Sequence, residues 1–146
     1  SYILDGDNIR HGLCTELTFS LVDRKENVRR VAAVAGIMAD AGMIVLAAFI
    51  TPLRESRDEI RRTLKPVRFF EVYCRCPLEI CEERDVKGLY RKARAGEIAH
   101  FTGISSPYEE PSAPDCIVDT AVLTLEESAD RLILLLIEHG ILPASN

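Results

Sequence analysis

Two carboxylates near the start of the chain have a spacing that suits acid–base or metal chemistry. Asp5 and Asp7 flank Gly6 and come directly after the apolar residues 2–4. If the extended conformation continues, both carboxylates project to the same side of the chain. Such a pair can order a hydrated Mg2+ or accept a proton from an attacking hydroxyl group. The structural alternative is an Asx turn in which Asn8 helps to cap a short helix, and the spacing alone leaves both interpretations open.

Polar and basic residues open the first long helical pattern of the chain. They are Arg24, Asn27, Arg29 and Arg30. The first N–H groups of a helix, together with guanidinium groups, can hold an anion. A solvated basic face is the alternative, and the pattern alone leaves it open. Arg10 differs from these residues because it directly follows the Asp pair.

A third candidate region is basic, rich in glycine and followed by an aromatic residue. Mobile cations can meet phosphate charge and an aromatic ring can stack on a base, which suits a phosphorylated nucleotide. The alternative is a solvated loop with Phe101 docked in the core. The basic residues are Arg84, Lys87, Arg91, Lys92 and Arg94, with Gly88 and Gly96 as flexible points and Phe101-Thr102-Gly103 following.

The elements that must position these residues alternate between strands and helices. Such alternation predicts an α/β fold, with a parallel sheet and helices on both of its faces. Ligands bind at the carboxyl ends of the strands in such sheets, where residues 5–10, 51–52 and 76–77 are expected. The predicted strands cover 2–4, 43–50, 68–74 and 115–119, and the predicted helices cover 20–41, 54–64, 77–84 and 124–140.

Length and composition limit the class of protein. The 146 residues predict one domain, 1–146, within which the polar stretch 85–114 is too long for an ordinary connection and predicts a lid or loop region. A net charge of −5 argues against a general nucleic-acid binder, and no apolar run approaches the ~20 residues that span a bilayer. The five cysteines, an odd number, favour reduced thiols in a cytoplasmic protein, and no set of them has metal-ligand spacing.

Taken together, several blocks of sequence resemble the adenylylsulfate kinase (APS kinase) family of the P-loop kinase superfamily. Members of this family phosphorylate adenosine 5′-phosphosulfate (APS) on its ribose 3′-hydroxyl to give PAPS, a step of sulfate assimilation. The blocks occur in the family's order and run from residue 2 to about 120. They are LDGDNIRHGL at 4–13, FS at 19–20, DRKENVRR at 23–30, ADAG at 39–42, FITP at 49–52, CEERD at 81–85, KGLY at 87–90, KARAGEI at 92–98 and FTGI at 101–104.

The resemblance implies a three-layer P-loop kinase-like fold and a role for each candidate residue. Asp5 and Asp7 would act at the hydroxyl and in the Mg2+ shell of ATP, and Thr51 stands where the family has a Ser to which a phosphoryl-acceptor role is sometimes assigned. Adenine would lie between Phe19 and Phe101. APS would contact Arg10, Phe19, Arg24, Asn27, Ile50, Lys87, Gly88, Leu89 and Phe101, and ATP would contact Arg84, Lys92 and Arg94. No other metal is implied, and the family suggests a homodimer and a possible fusion to, or association with, ATP sulfurylase.

The sequence departs from the family pattern at several points. Cys14, Thr18, Thr51 and Ser105 stand where the family usually has Asn, Gly, Ser and Asp. No G-x-x-x-x-G-K-[ST] occurs in these 146 residues, so the first strand and P-loop are absent and the sheet is expected to lack a central member. We expect either a piece of a longer polypeptide or a degenerate copy.

Two other functions compete with an APS kinase at this stage. A non-catalytic APS- or PAPS-binding regulatory domain is favoured by the absent P-loop motif, and it retains the APS residues. A P-loop kinase for another small metabolite would not need residues 87–90 or 101–103.

Overall fold

A computed structural model describes residues 1–144 of the chain. These residues form two compact units, and each is described by itself below. Unit 1 contains residues 1–69 and 100–110, and unit 2 contains residues 70–99 and 111–144. No helix among the described residues is both long enough and apolar enough to cross a membrane.

Unit 1 contains three helices and a pair of parallel strands. Strands β1 and β2 pair in parallel, with Asp5 opposite Ala48, so their carboxyl ends lie at one edge as predicted. Ser20 begins the long helix by accepting a hydrogen bond from the Asp23 N–H, as the predicted cap requires. The elements are β1 (Tyr2–Asp5), α1 (Gly6–Arg10), α2 (Leu21–Asp40), β2 (Val45–Ala48) and α3 (Arg54–Thr63).

The core of unit 1 lies between helix α2 and one face of the two strands. Leu4, Val31 and Ala35 are buried there together with Cys14, which is completely inaccessible. A thiol behaves as a small apolar group in such a site. Cys14, the first departure from the family pattern, is therefore a core residue.

The opposite face of the β1–β2 pair is exposed, contrary to the sequence prediction for the second strand. The apolar run 43–50 predicts a strand covered on both faces, yet Ile3 is 59% and Leu46 is 46% exposed. The reason is that α2 packs against the face that carries Leu4 and Val45. The apolar run therefore predicted the strand correctly, but it predicted two covered faces where the structure has one.

Unit 2 also contains one pair of parallel strands. Strands β3 and β4 run in register, with Arg75 opposite Asp119, and these two side chains form an ion pair of 2.8 Å. A capping box between Thr124 and Glu127 begins the last helix at the predicted residue. The elements are β3 (Val72–Arg75), α4 (Leu78–Arg84), α5 (Leu89–Arg94), β4 (Cys116–Asp119) and α6 (Leu125–Glu138).

The four described strands form two parallel pairs, β1–β2 in unit 1 and β3–β4 in unit 2. Within 85–114 the structure adds a helix, α5, which the glycine-rich composition concealed. Residues 100–110 of the same stretch belong to unit 1. The predicted lid or loop region is therefore two structurally distinct segments.

Candidate active site

The carboxyl end of β1 turns directly into helix α1, and Asp5 makes that turn. Its carboxylate accepts hydrogen bonds from the Asp7 and Asn8 N–H groups at 2.9 Å each, and from the Asn8 side-chain amide at 2.9 Å. Of the two geometries that the spacing leaves open for Asp5 and Asp7, the extended one does not form, because the chain becomes helical at Gly6. The Asx-type turn is the correct local geometry, with Asp5 as the cap.

Arg10, at the end of α1, reaches across to the turn that precedes α2. Its guanidinium donates to the carbonyl oxygens of Leu17 at 3.0 Å and Thr18 at 3.3 Å. The same guanidinium carbon lies 4.2 Å from the centre of the Phe19 ring, which is cation–π geometry. Phe19 nevertheless remains 59% exposed, so most of its ring is available to another molecule.

Arg24 approaches the same ring from helix α2 and connects it to residues 100–110, here called the strap. Its guanidinium lies 5.8 Å from the ring centre of Phe19 and donates to the Phe19 carbonyl at 2.9 Å. It also donates to the Thr102 hydroxyl at 2.7 Å and to the His100 carbonyl at 2.6 Å. We call this arrangement of Arg10, Phe19 and Arg24 the Phe19 cluster.

The two guanidinium groups of the Phe19 cluster make their hydrogen bonds to uncharged oxygens, and the carboxylate of Asp23 lies near Arg10. Arg10 and Arg24 donate their hydrogen bonds to carbonyl and hydroxyl oxygens. Partial burial, and then the neighbouring charge of Arg10, lower the pKa of Arg24. An anion beside these two side chains would relieve both effects without first breaking an ion pair.

Asn27 lies one turn further along α2 and is 95% buried, with 5% of its surface exposed. Its side-chain oxygen Oδ1 accepts no hydrogen bond within the described residues. A buried acceptor left in this state costs about 1–3 kcal/mol, so a donor from a ligand would be stabilising.

The strap is anchored at its far end by Arg57, a buried residue of helix α3. The Arg57 guanidinium donates to the carbonyl oxygens of Thr51 and Glu109 at 2.5 Å each. The Glu109 N–H in turn donates to the Pro52 carbonyl at 2.8 Å. These bonds fix the backbone at Thr51, directly after the 69% exposed side chain of Ile50.

The strap also has an internal turn that includes Phe101. The Ser105 hydroxyl accepts a hydrogen bond from the Phe101 N–H at 2.9 Å, so this departure from the family's Asp retains an oxygen acceptor. His100, which precedes Phe101, has a φ of +58°, a left-handed conformation that few non-glycine residues adopt. Phe101 itself is half-buried.

The remaining candidates lie in unit 2, around helices α4 and α5. Arg84 donates to the Thr120 carbonyl at 2.8 Å, and Arg94 forms an ion pair of 2.5 Å with Glu82. Asp85 accepts the Tyr90 N–H at 2.9 Å and so helps to begin α5. Partial burial opposes ionisation of Asp85, but the N–H groups of the first turn of α5 hold its pKa below the usual range. Lys87, Gly88, Leu89 and Lys92 belong to the same segment.

Gly88 occupies the position before α5 and has a φ of +67°. This left-handed conformation explains the glycine, since a side chain there would be strained. The structure thus brings Arg10, Phe19 and Arg24 together and assigns the Lys87–Leu89 candidates to unit 2.

Sequence reasoning missed Arg57 and Thr102 as residues that position the candidate site. Arg57 belongs to the charged helix 54–64, in which composition alone does not distinguish one arginine from another. Thr102 was noted only as a neighbour of Phe101, and its hydroxyl meets Arg24 across 78 positions of sequence. No local signal marks Arg57, because its burial together with Ser56 depends on the packing of α3.

Solved structures define the class of protein to which this fold belongs. The APS kinase CysC of Mycobacterium tuberculosis, solved in complex with AMPPNP and APS, superposes with a TM-score of 0.90 and 51% identity. The superposition covers 93% of this chain and 79% of that chain. The fold is therefore α/β and of the P-loop kinase class.

The sequence comparisons give the family. The family model for adenylylsulphate kinase matches residues 1–119. An adenylyl-sulfate kinase from Geotalea uraniireducens is 56% identical over 91% of this chain, and a probable adenylyl-sulfate kinase from Halalkalibacterium halodurans is 58% identical over 90%. This chain belongs to the adenylylsulphate kinase family. The aligned segments span 64% and 65% of the lengths of these two relatives.

Proposed function

We propose that this protein acts as an adenylylsulfate kinase, which transfers the γ-phosphoryl group of ATP to the 3′-hydroxyl of APS and gives PAPS in sulfate assimilation. Family membership over residues 1–119 supports the proposal. It also supports treating residues 1–146 as a single kinase-like domain, because the match extends over parts of both units.

The observation that carries the proposal is the exposed ring of Phe19 with two guanidinium groups beside it. An aromatic ring that is 59% exposed offers a stacking surface for a base. Arg10 and Arg24 beside it supply charge for an anionic phosphosulfate. A ligand that is flat at one end and anionic at the other, as APS is, satisfies both features.

Other residues of unit 1 would complete the contacts to APS. An N–H or O–H group of the ligand would satisfy the buried Oδ1 atom of Asn27. Ile50 would add an apolar contact because its side chain is 69% exposed after β2. Phe101 would supply the second aromatic ring, and Thr51 would supply a hydroxyl.

Asp5 and Asp7 would serve the reacting groups. The hydrated Mg2+ that accompanies ATP takes carboxylate oxygens together with phosphate oxygens and waters, and the carboxylates of Asp5 and Asp7 are donors of this kind. The ion would neutralise charge on the phosphates during transfer. Asp7 is the better candidate to accept the proton of the 3′-hydroxyl, because Asp5 already holds the backbone of α1.

The roles of unit 2 residues stay predictions from the resemblance. They are contacts of Lys87, Gly88 and Leu89 with APS, and contacts of Arg84, Lys92 and Arg94 with ATP. Closure of the basic segment over ATP, a homodimer, association with ATP sulfurylase and a cytoplasmic location also belong to the proposal.

The decisive experiment combines the protein with Mg-ATP and APS and measures ADP and PAPS together with direct APS binding by calorimetry. Production of ADP and PAPS in equal amounts supports the kinase. Binding of APS without turnover supports the non-catalytic APS- or PAPS-binding domain, and absence of both contradicts the proposal. Shikimate and gluconate serve as control metabolites that are expected neither to bind nor to be phosphorylated.

Variants of the two carboxylates need matched designs because their structural roles differ. Asp7→Asn removes the charge from an exposed position and is expected to abolish turnover while APS binding persists. Asp5→Ala would also remove the cap of α1, so Asp5→Asn, whose amide oxygen can still accept the backbone N–H groups, is the informative change.

A further inference from the structure

Thr18, which stands where the family usually has glycine, is joined to the turn on both sides of Phe19. Its N–H donates to Asp23 Oδ2 at 2.9 Å, and its hydroxyl donates to the same oxygen. Its hydroxyl oxygen accepts the Ser20 N–H at 3.2 Å. Asp23 then donates its own N–H to the Ser20 hydroxyl at 3.1 Å. These contacts close a ring of hydrogen bonds through Thr18, Ser20 and Asp23, and Phe19 lies between Thr18 and Ser20 in the sequence.

This ring restrains the residues on either side of an exposed aromatic side chain. The Thr18 and Phe19 carbonyl oxygens accept from Arg10 and Arg24, so the polar groups of the turn are satisfied while the Phe19 ring stays open. The hydrogen bonds from the Thr18 hydroxyl and N–H hold the pKa of Asp23 below its usual range, which keeps this carboxylate ionised as an acceptor. A glycine at position 18 would offer only the N–H bond and a more flexible backbone.

We infer that Thr18 is a positioning residue for ligand recognition, whose hydroxyl holds the Phe19 ring in the orientation in which it stacks on the base of the bound nucleotide. This inference rests on the proposed function. Its physical basis is pre-organisation: a ring that is already held loses less conformational freedom when the ligand binds. The departure from glycine therefore strengthens the APS site.

The test compares T18V, which keeps the shape of the side chain without its hydroxyl, with T18S, which keeps the hydroxyl. The affinity for APS, measured by calorimetry, is expected to fall about threefold to tenfold in T18V, the range that one hydrogen bond spans. T18S is expected to retain the wild-type affinity. T15V is the matched control, because Thr15 is an exposed threonine in the same connection between α1 and α2.

A double-mutant cycle with F19A separates positioning from general stability. If Thr18 acts through the Phe19 ring, T18V is expected to cost no further affinity in the F19A background. An equal loss in both backgrounds, or a loss in T18S equal to that in T18V, would overturn the inference.

Hydrogen exchange of the unliganded protein provides a readout that does not depend on APS. The Ser20 amide is expected to exchange about threefold to tenfold faster in T18V than in the wild type or T18S. Equal exchange rates in the wild type and T18V would overturn the inference. If the wild-type protein fails to bind APS, the proposed function is contradicted. If the Ser20 amide still shows the expected exchange rates in the three proteins, the restraint of the turn by Thr18 remains supported.

Discussion

The Phe19 cluster of unit 1 and the basic segment of unit 2 both carry several cations, but they hold them differently. Arg10 and Arg24 donate to uncharged oxygens of the turn and the strap. Arg94, in contrast, is paired with the carboxylate of Glu82, and this pair raises the pKa of Arg94. An anion can approach the first pair of cations directly, whereas it must compete with Glu82 for Arg94.

Under the proposed function, the two regions would be prepared for a ligand to different degrees. The first region is fixed by bonds between residues as distant in sequence as Arg24 and Thr102, and it is prepared before a ligand arrives. The second is held locally, over 12 residues between Glu82 and Arg94, by groups that lie near the surface. A segment with local, exposed bonds opens at a lower free-energy cost than one with buried, long-range bonds.

The largest expected effect comes from Arg24, which joins the Phe19 cluster to the strap. Arg24→Met removes the charge and both bonds to the strap, so the affinity for APS should fall about 10-fold to 150-fold, since bonds to a charged group contribute about 1.5–3 kcal/mol. Calorimetry measures the loss. Lys25→Met, which removes an exposed cation of the same helix that pairs with Glu55, is the control, and an equal loss in both variants would show that the loss is not specific to the Phe19 cluster.

Arg57→Met tests whether the strap is fixed by its buried anchor. Two carbonyl oxygens lose a charged donor, so the free energy of unfolding should fall by about 2 kcal/mol in a urea titration. The Glu109 amide should exchange faster in the same variant. Arg62→Met on the exposed side of α3 should leave both quantities unchanged, and a strap that remains protected in Arg57→Met would contradict the anchoring role.

Phe19→Ala tests the stacking surface. Removal of the ring should weaken APS binding about tenfold, because base–aromatic stacking contributes about 1–3 kcal/mol. Val22→Ala is a suitable control, since Val22 is a 76% exposed apolar residue near the start of α2. If both substitutions leave the affinity unchanged, the exposed ring is not a ligand surface.

His100→Gly tests how strongly the strap is held in its conformation. A left-handed residue other than glycine costs about 1–2 kcal/mol, and glycine would remove this cost. Part of the gain is lost because glycine also has greater freedom in the unfolded chain. We expect the unfolding free energy to rise by about 1 kcal/mol. His100→Ala, which keeps a Cβ atom, should give no such gain, and a gain in both variants would exclude backbone strain as the cause.

Glu82→Gln tests the other side of the comparison and should have the smallest effect. Because an exposed ion pair contributes little to stability, the unfolding midpoint should not change measurably. If Glu82 competes with ATP for Arg94, Glu82→Gln should bind ATP slightly more tightly than the wild type does. This difference in affinity should be larger at low salt than at high salt. A large loss of stability would show that the basic segment is held as firmly as the strap.

Local sequence signals predicted most of the elements. Ser20 and Thr124 begin α2 and α6 as predicted, because a cap depends on side-chain oxygens and N–H groups within a few residues of each other. The same signals left the geometry of Asp5 and Asp7 open. The spacing was compatible with a strand or a turn, and the choice depended on where β1 ended.

The sequence by itself determined the family, the α/β class and the types of residue available to a nucleotide site, because motifs and periodicity are properties of neighbouring residues. Only the tertiary structure decided which cations meet the Phe19 ring, that Asn27 Oδ1 is buried with no donor among residues 1–144, and that Arg57 holds the strap. Each of these features depends on contacts between residues far apart in the chain or on burial by another element. Such contacts form only when the backbone has folded, and for that reason no local pattern specifies them.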